Sequence, residues 1–142
     1  MCYKKGTMKG VETIRHEGKT IAIVFRDNLA VNGIRFFTDQ NNPFQVGAHR
    51  RPKGTVITPH LHAMEKPLTI TSIQEILFIK KGKVRLTMYT GQGVGIARKI
   101  LTTGDSVLLM DLAHGVELME DSEIFEVKQG PYPGSKNAKI YL

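Results

Sequence analysis

The chain has 142 residues, of which 41% are hydrophobic and 23% charged, with a formal net charge of +7 and a single cysteine. That length and balance suit one soluble domain able to bury a core of its own. No apolar run approaches the ~20 residues of a membrane helix, no apolar segment follows the N-terminus as in a secretory signal, and Cys2 has no partner for an intrachain disulfide, so a cytoplasmic protein with no membrane partner and an inert Cys2 is the expectation. Basic residues are spread along the chain as Lys4 and Lys5, Arg50, Arg51 and Lys53, Lys80, Lys81 and Lys83, and Arg98 and Lys99. Without a basic helix or block, this predicts a cationic surface that binds no nucleic acid, either simply solvated or attracting an anionic small substrate, which charge alone does not separate.

In chain order, Thr13–Arg15 and Thr20–Phe25 predict two strands around a turn at Gly18. The stretch from Arg26 to Gly33 reads as a loop or a single helical turn, with two Asn and Gly33 favouring the loop. Ile34–Thr38 and Phe44–Arg50 predict strands separated by the polar breaker from Asp39 to Pro43. Thr55–Thr58 is β-branched throughout and predicts a strand leading through Pro59 to His60; Leu68–Thr71 adds a short one. Gln74–Ile79 is apolar on both faces, as in a strand inside a sandwich or barrel. Gly82 marks a hairpin into Val84–Thr90, whose alternation predicts one wet face. The glycines at 91, 93 and 95 turn the chain into Ile96–Leu101, and no helix pattern follows them that would make a phosphate-binding loop. Ser106–Leu112, Ala113–Met119 and Ile124–Gln129 complete the series of short strands.

Short strands with turn signals every 8–12 residues predict an all-β sandwich or barrel. One domain over 1–142 is expected, with N-terminal strands at 11–38, a core at about 43–130 and a tail at 131–142.

The chemistry concentrates between Gly54 and Gly82. His60 and His62 stand two apart, and an extended chain turns such residues to one face. Glu75 opens the next apolar run and reaches the same spot if its strand pairs with theirs. Two imidazole nitrogens and a carboxylate oxygen are the start of a divalent-metal site. His16 and His49 lack such a context and read as surface residues. Gln45, Arg50, Gln74, Arg85, Tyr89 and Lys128 lie on or beside predicted strands. Each singly is expected to face solvent; an Arg or Lys turned inward points to an anionic substrate.

This stretch resembles the first motif of the cupins. Gly54, five residues, then His60 and His62 match its spacing, as do Glu75, six residues and Gly82. The gap from His62 to Glu75 is longer than usual in that family and contains a rival carboxylate, Glu65; Gly82 favours Glu75, since Ser72 stands six beyond Glu65. A degenerate second motif opens at Gly104 and Asp105, has Met110 and Leu112 where proline and glycine are usual, and ends at His114 one residue early. A shift of one turns a strand side chain over, and a bulge turns it back, so the facing of His114 is open.

The resemblance implies a double-stranded β-helix, the jelly-roll barrel of a small single-domain cupin, and a metal site of His60, His62, Glu75 and His114. That donor set suits Fe, Mn, Ni, Zn or Cu. It also implies a small-molecule substrate, anionic or sugar-derived by analogy with a subgroup linked to polysaccharide pathways, and a homodimer. Isomerase, lyase and dioxygenase chemistry are all compatible with such a centre. The resemblance implies a metal-free alternative as well, a sugar-nucleotide ketoisomerase with His60 and His62 as acid and base. A non-catalytic ligand-binding role is the remaining reading.

Overall fold

The structure is a computed structural model and describes residues 8–64, 67, 69–134 and 136–142. Cys2, Lys4, Lys5, Glu65 and Leu68 lie outside the described residues. Among the described residues there are ten strands and no helix. They fall into two compact units, one drawn from Met1–Leu29 with Ser72–Leu142 and one from Ala30–Thr71.

The larger unit holds two antiparallel sheets. The first has the order β1-β2-β8-β5-β10, built from β1 (Val11–His16), β2 (Lys19–Phe25), β8 (Ser106–Leu109), β5 (Glu75–Lys81) and β10 (Glu123–Lys128). The second has the order β7-β6-β9, built from β7 (Gly95–Thr102), β6 (Lys83–Tyr89) and β9 (Ala113–Leu118). Alternate residues of each strand face one way. Ile21, Val24, Leu77, Ile79, Val107 and Leu109 from the first sheet join Val84, Leu86, Met88 and Leu101 from the second in one buried cluster. The sheets therefore pack face to face as a sandwich around this apolar layer, with antiparallel pairing throughout.

A polar latch ties the two sheets along their β1 and β7 margins. Glu12 on β1 receives Arg26 Nε at 2.6 Å and Lys99 Nζ of β7 at 2.7 Å. Arg26 also reaches Asp105 Oδ2 at 3.0 Å and the carbonyl of Ile100 at 2.7 Å. Asp105 is buried and accepts further hydrogen bonds from the backbone N–H groups of Asp27 and Thr102. A buried carboxylate needs such donors, because desolvation without them costs several kcal/mol.

The smaller unit contains the hairpin of β3 (Gly33–Phe36) and β4 (Gly47–Arg50), with Ile34 opposite His49 and Arg35 opposite Ala48. The strand expected at Thr55–Thr58 is not formed, and no described residue of 51–71 lies in a strand. β-branched residues suit a pleated surface, but a strand also needs a ladder partner. Pro52, Pro59 and Pro67 each remove a donor from this stretch.

Candidate functional site

Glu75 is the first residue of β5 and shares a face with Leu77 and Ile79, both in the core. It therefore projects inward from the first sheet at one end of the sandwich. Opposite it on β10 is Lys128, the last residue of that strand. His114 pairs with Met88 across β9 and β6, and paired residues of an antiparallel ladder share a face. Met88 is wholly buried in the core, so His114 also projects inward, from the second sheet. Its neighbour Glu117 takes the other face and pairs with Arg85 at 2.7 Å.

These placements bring Glu75 Oε1 to 3.4 Å from His114 Nε2. Residues 39 positions apart in sequence, both singled out as ligands, thus meet within one unit. Leu112, two residues before the histidine, takes φ 66°, a left-handed conformation, where the chain enters β9.

Lys128 Nζ lies 3.3 Å from Glu75 Oε2 and 2.5 Å from Glu126 Oε1. Burial pushes the Glu75 carboxyl up, but His114 and Lys128 beside it outweigh that and hold it below the usual carboxylate range. Glu126 chiefly, with Glu75, raises the Lys128 ammonium above its ordinary value despite partial burial. The site is therefore a carboxylate held between an imidazole and an ammonium group. Beside it, an open cavity of about 350 Å³ is lined by Tyr89, Ala113 and His114 and by Ile140, Tyr141 and Leu142.

His60 and His62 lie in the smaller unit, exposed, outside any strand. Their rings stand edge to face with centroids 5.0 Å apart. His60 Nδ1 is 2.8 Å from the carbonyl oxygen of Thr58; that oxygen only accepts, so Nδ1 carries the proton and Nε2 is the available donor atom. The four expected ligands thus divide into two pairs, one in each unit. Among the described residues no group of three or more His, Cys, Asp or Glu stands together. The Glu75–His114 pair nevertheless fits a metal in donor type and spacing, since two adjacent ligands each about 2.1 Å from an ion sit about 3 Å apart.

Sequence reasoning did not find Lys128 as the partner of Glu75, because only the β5–β10 register sets them side by side. It also did not find the Glu12–Arg26–Lys99–Asp105 latch, whose members are scattered over four segments. Of the other polar residues singled out, Gln74 is buried and Tyr89 lines the cavity, while Arg85 turns to the outer face.

Fold and site together define an all-β protein of antiparallel sheets with an inward-facing carboxylate–imidazole pair at one end. No protein-family model, curated protein or solved structure matches the chain. Among the described residues no helix is long and apolar enough to cross a membrane.

Proposed function

We propose that the chain is a small cupin-type protein that binds a divalent metal and acts on a small molecule, with Glu75 and His114 as the core of the metal site. The observation that carries this reading is the 3.4 Å approach of Glu75 to His114. Both residues belong to the family motifs, and the approach requires inward facing from two different sheets. His60 and His62 are the further imidazoles that the resemblance assigns, in a jelly-roll arrangement of the strands. A bound ion of this type supplies Lewis-acid polarisation of a substrate oxygen. The chain's own residues do the rest. His114 presents an imidazole to the cavity, a group able to accept or deliver a proton. Lys128 offers a cation to an anionic substrate group, and Tyr89 and Tyr141 line the cavity beside it.

Freshly purified protein should carry near-stoichiometric metal by elemental analysis, and His114→Ala should lose it. Glu75→Gln should lose it as well, whereas Glu65→Gln should retain it. A wild-type protein that arrives empty and takes up no Mn, Fe, Ni, Zn or Cu on titration sinks the metal reading.

One observation favours a second, metal-free reading: the Lys128 ammonium already sits on Glu75 Oε2, where it opposes a second cation. In that case Glu75 orients His114 and His114 transfers the proton. Lys128→Met separates the two. It should tighten metal binding under the first reading and leave the protein metal-free under the second.

A further inference from the structure

We propose that the outer edge of β10 is a self-association surface that pairs antiparallel with β10 of a second copy of this chain, about a two-fold axis through Val127. Lys128 is shared with the Glu75–His114 site, but the proposal rests on the open edge of β10 and not on metal or proton chemistry, so either reading can fail without the other.

β10 is the last strand of its sheet, and among the described residues no strand pairs with its far edge. The N–H of Gln129 donates to the carbonyl of Gln74 at 3.2 Å. Backbone groups of alternate residues point to opposite sides of a strand. Phe125 and Val127 therefore turn theirs toward β5, while Ile124, Glu126 and Lys128 turn theirs outward. An open row of this kind is a template for another strand.

The side chains make the edge adhesive on one face. Phe125 is 58% exposed and Val127 42%, and Phe78, directly opposite Phe125 on β5, is 38% exposed. This apolar strip runs up to the edge with which no strand pairs among the described residues.

The charges select the register. A two-fold pairing in the plane of the sheet keeps each face on its own side, so its axis passes through a single residue. Centring on Glu126 sets that carboxylate against its own copy, which is destabilising. Centring on Phe125 sets Glu126 against Ile124. Centring on Val127 sets Glu126 opposite Lys128 of the second copy, twice. Glu126 and Lys128 already touch within one chain at 2.5 Å, so four charges alternate in sign around the axis. This register also makes Glu126 and Lys128 the hydrogen-bonded pair, in keeping with their outward backbone groups. Val127 then meets Val127 as the closer, non-hydrogen-bonded pair, and the apolar strips of the two copies join.

The test combines light scattering with engineered cysteines in a Cys2→Ser background. Val127→Cys should form a disulfide-linked dimer under mild oxidation, while Phe125→Cys, whose neighbour in this register is Gln129, should not. Glu126→Pro removes an outward N–H that an edge strand can spare and should give a folded monomer. Glu126→Lys should weaken the dimer by about tenfold by placing four like charges together; it supplies the test if the proline variant does not fold. A monomeric wild type, a dimer that survives both Glu126 variants, or cross-linking through Phe125→Cys in place of Val127→Cys overturns the proposal. So does capture of a strand from a different protein by a chain that remains monomeric alone.

Discussion

At the scale of single residues, Leu112 is the most informative position. A non-glycine residue at φ 66° bears a steric cost of about 1 kcal/mol between its Cβ and the backbone. The residue stands where the chain turns into β9, two residues before His114. Leu112 is substantially exposed, so its side chain contributes little packing. Leu112→Gly should therefore raise stability by about 0.5–1 kcal/mol in denaturant melts, the relief of strain outweighing glycine's greater freedom in the unfolded chain. A variant less stable than wild type would show that leucine packing, not backbone geometry, governs this position. Asp105 makes a complementary point. Its burial is tolerated because Arg26 and two backbone N–H groups converge on it, which places it in the framework and not in the chemistry.

At the scale of elements, the β5–β6 hairpin sets the depth at which Glu75 enters the sandwich. Gly82 at its turn has φ 101°. A Cβ there would also lie 2.3 Å from Ser122 Oγ and 2.7 Å from the carbonyl of Asp121. The serine can rotate away, but the carbonyl belongs to the backbone. Gly82→Ala should cost about 1–3 kcal/mol and should perturb β5 and β10 together, seen as faster amide exchange in both strands. A loss below about 0.5 kcal/mol would mean that the turn has freedom the geometry does not suggest. The same requirement explains why glycine stands at 82, the feature that favoured Glu75 over Glu65.

At the scale of the whole molecule, stability in acid is set by carboxylates that the fold has paired. Arg26 first, and Lys99 after it, hold Glu12 down at about 2, and Glu75 is also held below its usual range. A depressed folded value means that the unfolded chain binds more protons over that interval. The stabilisation is therefore fully present above about pH 4.5 and is lost as pH falls toward about 2. Glu12 is about a third exposed, so salt screens part of the effect. The thermal midpoint should drop between pH 5 and pH 2, and Glu12→Gln should begin lower and drop less. Parallel curves for the two proteins would remove Glu12 from the account of acid lability.

Alternation, β-branched runs and glycine-marked turns made ten strands and the all-β class legible in the sequence, because these are local properties of a pleated chain. Gln74–Ile79, Val84–Thr90 and Ile124–Gln129 lie within two residues of observed strands for that reason. Thr55–Thr58 shows the limit of composition. Its residue types favour a strand, yet a strand forms only with a partner to share its hydrogen bonds. The candidate site divides in the same way. His60, His62 and Glu75 could be chosen by residue type and spacing, since donor chemistry belongs to the side chain, and His114 only through the resemblance to a family motif. Whether His114 faces inward depended on its pairing with Met88, and the approach of Lys128 to Glu75 depended on the β5–β10 register. Residue 128 is far from residue 75 along the chain, and nothing local to either records the other. The tertiary structure alone decided that contact, because only the pairing of β10 with β5 sets these two residues side by side.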